Sequence, residues 1–232
     1  EITAIWERLK ERGYTGSYDA VRRFVRRLEP ATLDVTVRVE CQPGEEAQAD
    51  FGYAGLMLDS DSGHARRAWA FVMTLSWSRH QYVEFVWDQT VATWLRLHRN
   101  AFTFFSGVPQ RVVIDNLKAG ITQACWENPQ VQLAYRECAE HYGFLIAPSR
   151  PRTPQHKGKV EQGGVHYVKR NFLGGREATT LTQANQDVRS WCLTTAGERC
   201  HGTTREQPIG RFRETEQKRL RPMPDTPYDL TV

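Results

Sequence analysis

The sequence lacks any run of about 18 apolar residues, the length a helix needs to cross a bilayer, and it carries no charged-then-apolar leader of the secretory kind. These two absences predict a cytoplasmic protein with no membrane segment. There is no C-x-x-C pair. The five cysteines, Cys41, Cys125, Cys138, Cys192 and Cys200, are odd in number and widely spaced, which predicts reduced thiols rather than a disulfide frame. Cys138-x-x-His141 has no second pair to complete a zinc site, so it reads as helix packing. No Ser, Tyr or Cys stands in a recognisable nucleophile motif, so covalent catalysis has no candidate. Internal repeats and low-complexity stretches are absent as well. The chain starts at Glu1 rather than Met and reads as a piece of a longer protein.

What is present is enough for one core. The chain has 232 residues, 40% of them hydrophobic, and a net charge of +4. That length supports one α/β domain with small appendages. The charge is unevenly spread. From Ile146 to Arg176 there are seven Lys or Arg against one acid, whereas from Ala31 to Asp59 there is one Arg against six acids. An acidic stretch beside a basic one suits a site that holds cations next to a surface that holds a polyanion.

Residues 1–30 predict two helices and a turn. Ile2, Ile5, Trp6 and Leu9 share one face, Gly13-Tyr14-Thr15-Gly16 breaks the pattern, and Ser17 is a natural N-cap. In the second helix Val21, Phe24, Val25 and Leu28 repeat the apolar spacing, while Arg22, Arg23, Arg26 and Arg27 lie on another face. This matches a helix-turn-helix whose second helix binds DNA. Residues 31–44 read as an extended linker and 45–175 as the core. Residues 176–232 read as a helix capped by Thr182, then a linker, through His201-Gly202-Thr203-Thr204 and the proline-rich tail, towards a missing domain.

Within the core, Glu46 to Tyr53, Arg67 to Trp77 and Gln81 to Trp87 predict a three-stranded antiparallel meander. Thr90 caps a helix from Val91 to Phe105 that Gly107 and Pro109 stop. Val112-Val113-Ile114-Asp115 reads as a strand buried on both faces, Pro129 to Gly143 as a helix, and Phe144 to Ala147 as a fifth strand. A helix from about Gln155 to Phe172 follows, with Glu161 at the head of the stripe Val165, Val168 and Phe172. The order is that of one α/β domain with a five-stranded mixed sheet.

Three carboxylates stand out. Asp50 sits in mid-strand, where acids are rare and a buried charge needs a partner or a metal. Asp115 ends an apolar strand, and Glu161 heads an apolar stripe. Together Asp50, Asp115 and Glu161 predict a site for catalytic divalent metal. Lys157, one turn before Glu161, reads as a contact for a scissile phosphate; Lys159, Lys169 and Arg170 read as further DNA contacts.

With these residues in place, the chain resembles the IstA-type transposases of the insertion sequence 21 family, within the retroviral-integrase-like superfamily. The segments that carry the resemblance are Gln48-Ala49-Asp50-Phe51-Gly52, Val113-Ile114-Asp115-Asn116-Leu117-Lys118 and His156-Lys157-Gly158-Lys159-Val160-Glu161. His201-Gly202-Thr203-Thr204, with Pro208 and Phe212, adds a fourth. The family often has Arg after its catalytic Glu, where this chain has Gln162. The resemblance implies an RNase H-like fold and a catalytic triad of Asp50, Asp115 and Glu161. It also implies insertion-sequence ends and target DNA as substrates, and an IstB-like AAA+ ATPase as helper.

Hard carboxylate oxygens suit two Mg2+ or Mn2+ ions, which serve in-line displacement at phosphorus with water and then a 3′-hydroxyl as nucleophile. Pairing like DNA ends calls for a homo-oligomer. The competing readings are a nuclease of the same fold that only hydrolyses, an inactive DNA-binding protein, and a two-carboxylate glycosidase. The flanking helical unit argues against the first and the intact triad against the second. The basic surroundings of Glu161 argue against the third.

Overall fold

The computed structural model describes residues 2–28, 41–114, 129–148 and 164–228. They fall into two compact units, one within Glu1–Arg38 and the other within Val39–Arg152 and Lys159–Val232. In the first unit, α1 (Ile2–Glu11) and α2 (Tyr18–Leu28) are joined by a turn in which Gly13 takes φ +89°. Ser17 Oγ accepts the Ala20 N–H at 3.3 Å, the cap its residue type predicts. Trp6 packs edge-on against Tyr18 at 5.7 Å. The apolar spacing of α2 overstates its buried face: Val21 is buried, but Phe24 is 60% exposed.

The second unit is built on one sheet. Strands β1 (Glu46–Leu58), β2 (Ala65–Leu75) and β3 (Gln81–Val86) form the antiparallel meander that alternation predicts. After α3 (Val91–Phe105) comes β4 (Arg111–Ile114), then α4 (Pro129–Tyr142) and β5 (Leu145–Pro148). The strand order is β3-β2-β1-β4-β5, with β4 parallel to β1 and β5 parallel to β4. A meander continued by two parallel crossover strands on its β1 side is the RNase H-like fold.

Each face of the sheet has its own core. On one, α3 and α4 bury Phe51, Phe71, Trp94, Phe102 and Tyr135. On the other, α5 (Gly164–Val168) and α6 (Leu181–Leu193) bury Val72, Phe85, Val165, Val168 and Trp191. Among the described residues, the second layer packs on the meander, α5 on β1 and β2 and α6 on β3. Strand β4 is therefore not buried on both faces: Val112 and Ile114 are buried, while Arg111 and Val113 are half-exposed.

Thr90 caps α3 as its sequence predicts, accepting the Thr93 N–H at 3.2 Å. The helix ends on Ser106 in the left-handed region (φ 55°), not on Gly107. Gly107 serves close approach, since a Cβ there would meet Leu220 Cβ at 2.6 Å. Helix α6 is capped by Thr180, which accepts the Gln183 N–H at 3.3 Å, and not by Thr182. The helix expected over 155–172 is described from Gly164 onward, and it widens into a π-helical turn at Lys169–Leu173; its earlier part lies outside the described residues.

The stretch that reads as linker from sequence is packed. After α7 (Thr195–Glu198), His201 is buried and its Nδ1 accepts the Thr203 and Thr204 N–H groups at 3.3 and 3.4 Å. From α8 (Pro208–Arg211) onward the chain forms a strap. Phe212 packs on His80 and Phe105. Glu216, fully buried, accepts the Gly44 and Ser78 N–H groups, each at 3.1 Å. Arg221 and Val108 exchange two backbone hydrogen bonds of 2.9 Å. Tyr228 donates its N–H to Tyr142 Oη at 3.1 Å. Proline in this tail stops helix and strand alike, which imitates a linker, but apolar residues between the prolines find the core. Among the described residues no helix is long and apolar enough to cross a membrane.

Candidate active site

Asp50 lies on the central strand. Its neighbours Ala49 and Phe51 turn into the α3/α4 core, so alternation sends the Asp50 side chain to the α5/α6 face. Across the sheet it stands opposite Val72 of β2. On its other side the described pairing with β4 ends one residue earlier, at Ala49↔Ile114.

Asp50 is tied to α5: its Oδ2 accepts the Val165 N–H at 2.9 Å. Glycine makes that approach possible. A Cβ on Gly164 would stand 2.8 Å from Val72 Cγ1. Sequence reasoning misses this contact because the donor is backbone. The signal it offers is the Gly163-Gly164 pair just before the buried stripe.

The other triad candidates, Asp115 and Glu161, lie outside the described residues, as do Lys157 and Lys159. In sequence, Asp115 follows directly on Ile114, and Glu161 precedes Gly164 by three positions. Among the described residues, no group of three or more His, Cys, Asp or Glu gathers as a metal site. Lys169 and Arg170 are exposed on the π-helical turn, and Lys169 Nζ stands 5.7 Å from the Tyr53 ring centroid. Arg22 and Arg23 are exposed on α2; Arg26 and Arg27 belong to that helix, and their side chains lie outside the described set.

Other titratable groups of the sheet are spoken for. Glu46, four residues before Asp50 on β1, accepts from Ser76 Oγ at 2.8 Å and from Arg111 Nε at 2.9 Å. Burial pushes its pKa up, but hydrogen bonds from Ser76, Gln48 and Arg111 outweigh it and the net shift is downward. This carboxylate ties β1 to β4 and is structural. Burial lowers His80 and His98 to about 4, so both rings are neutral packing groups at neutral pH. His98 bonds to Trp94 O at 2.9 Å and to Tyr135 Oη at 3.2 Å.

Residues 40–154 match the integrase core domain family. A Mycobacterium tuberculosis protein classed as a transposase is 36% identical over 99% of this chain and 57% of its own length. The transposase for insertion sequence element IS21 of Pseudomonas aeruginosa is 31% identical over 98% of this chain and 57% of its own length. The chain thus spans little more than half the length of these relatives. Among solved structures, the catalytic core domain of BIV integrase aligns with 76% of this chain and 98% of its own, at 15% identity and a TM-score of 0.49.

Proposed function

The chain belongs to the integrase core domain family, among the IS21-type transposases, and from that premise we propose that it carries the centre that cuts and joins DNA strands at the ends of an insertion sequence. The observation that carries this reading is the Asp50 carboxylate at mid-sheet, held by the Val165 N–H of α5 and one residue past the end of the described β1–β4 pairing. The sequence continues from β4 into Asp115, and Glu161 lies just ahead of α5.

The donor chemistry fits a hard divalent ion, being three carboxylates with oxygen ligands alone. Asp50, Asp115 and Glu161 are the residues that would hold it. Bound there, a pair of Mg2+ or Mn2+ ions would supply the charge that in-line phosphoryl transfer requires. The protein's own part is positioning. The Val165 N–H fixes the Asp50 carboxylate so that it need not reorganise as the substrate reacts. Lys157, Lys159, Lys169 and Arg170 are proposed phosphate contacts that hold the strand in register. Water attacks phosphorus in the cleavage step and a DNA 3′-hydroxyl in the joining step, and the displaced 3′-oxygen leaves in line.

In the first unit we assign DNA binding to α2 through Arg22, Arg23, Arg26 and Arg27, as a helix-turn-helix would use them. A homo-oligomer that pairs two ends and an IstB-like helper ATPase complete the proposal. The test is to incubate the protein with labelled end DNA and Mg2+ or Mn2+. Metal-dependent nicking at the 3′ end followed by joining is expected. Nicking that never proceeds to joining would make this a nuclease instead.

A further inference from the structure

Past Phe51 the face of the sheet that α3 and α4 cover runs out from under its helices. The next cross-strand pair on that face is Tyr53 and Trp69, with ring centroids 5.7 Å apart, and the one after is Leu56 and Arg67. Tyr53 is 40% and Leu56 58% exposed, against 3% for Phe51. A tyrosine, backed by the half-buried Trp69, and a leucine left open on a sheet face need a reason, because exposed apolar surface in one patch marks a binding site more often than chance.

Three further observations say what the patch takes. A β-bulge between Tyr53 and Gly55, with Gly55 at φ +116°, sits at this point of β1; bulges bend a strand and re-aim a side chain beside functional sites. Among the described residues, no strand pairs the other edge of β1 from Asp50 to Met57. That edge is thin enough for Lys169, from the helix on the Asp50 side, to bring its ammonium to the Tyr53 ring. The charges beside the rings are positive: Lys169, and the exposed Arg67, which shares their face of the sheet. Tyr53 is three residues from Asp50, about 10 Å along an extended strand.

We propose that Tyr53, backed by Trp69 and flanked by Lys169 and Arg67, is a stacking platform for an unpaired base of the DNA strand held at Asp50. The proposal rests on the catalytic reading of Asp50 and adds its ligand class: a DNA end whose last nucleotides are single-stranded. An aromatic face accepts any base, and the cations beside it neutralise the neighbouring phosphates.

The test compares binding of the full chain to a fluorescent duplex with a short single-stranded 3′ tail and to the same duplex with a blunt end, over a salt series. Tyr53→Ala should weaken tailed DNA about ten-fold, the loss of one stacked base, with blunt DNA unchanged. Tyr53→Trp should keep the preference. Stacking releases no counterions, so Tyr53→Ala leaves the salt slope in place, whereas Lys169→Ala lowers it by about 0.7, one single-strand phosphate. Equal binding of tailed and blunt DNA by the wild type, or an unchanged preference in folded Tyr53→Ala, overturns the platform. So does a protein dimer that Tyr53→Ala dissociates, which would assign the face to a second copy. Nicking by an Asp50→Asn variant tests the catalytic reading separately. Asp50-dependent nicking beside equal tailed and blunt binding therefore sinks the platform alone.

Discussion

At the scale of single residues, the contact between Asp50 and Val165 makes two demands that can be separated by substitution. Asp50→Asn keeps an oxygen for the Val165 N–H and removes the charge a metal needs. Nicking should fall to background while the urea midpoint moves by less than about 1 kcal/mol equivalent, the size of one neutral hydrogen bond. Gly164→Ala does the reverse. It leaves every carboxylate in place but drives a methyl to 2.8 Å from Val72 Cγ1, which is buried and branched and cannot swing aside. Overpacking of this kind costs about 1–3 kcal/mol. Nicking should drop as α5 lifts from Asp50, and Val72→Ala in the same chain should restore part of it; no rescue would mean that the helix position is set elsewhere. Asp50 is legible in the sequence because a carboxylate in mid-strand violates a local rule. Its partner is not, because a backbone N–H carries no residue-type signal. Phe24 misleads for a related reason: helical spacing says which residues share a face, not whether anything covers it.

At the scale of elements, what is legible is what local chemistry decides. The meander, α3 with its Thr90 cap, and α4 ending before Gly143 (φ +73°) all follow from alternation, capping and a left-handed glycine. The strap after α8 is not legible, since its hold on the core comes from residues far away in sequence. Glu216 is the centre of that hold. Burial raises its pKa, and the Gly44 and Ser78 N–H groups pull the other way without cancelling the rise. Glu216→Ala would leave two buried donors without an acceptor, at about 1–3 kcal/mol each. Glu216→Gln keeps one acceptor oxygen and removes the buried charge, so it should cost clearly less. A urea titration of both variants decides the matter, and equal losses would show that the carboxylate's charge, not its oxygens, secures the strap.

At the scale of the whole molecule, the two neutral histidines set an acid limit. His80 and His98 hold pKa values of about 4 when folded, against an ordinary 6.5. Between those values the unfolded chain binds more protons, so stability is complete above pH 6.5 and falls as pH drops towards 4. The loss is on the order of 3 kcal/mol for each ring. Glu216, with its raised pKa, contributes in the opposite sense and offsets part of it. Urea midpoints at pH 7 and pH 5 should differ accordingly, and coincident midpoints would mean that both rings are hydrated. The first unit offers a separate measurement: replacing Arg22 and Arg23 by Ala should lower the salt slope of duplex binding by about 0.9 for each phosphate that α2 no longer neutralises. The strap, finally, puts a clock on synthesis. The N–H groups of Gly44 and Ser78 wait for a carboxylate that lies 172 and 138 residues downstream. At about 5–20 residues per second a ribosome needs roughly ten to thirty seconds to deliver it. Through that interval the meander emerges with its far end unlatched. Nascent chains stalled before residue 216 should therefore be cut by protease at the Ser76–His80 turn, and chains released after the strap should resist, so the last part of the core to be made is the part that locks the first.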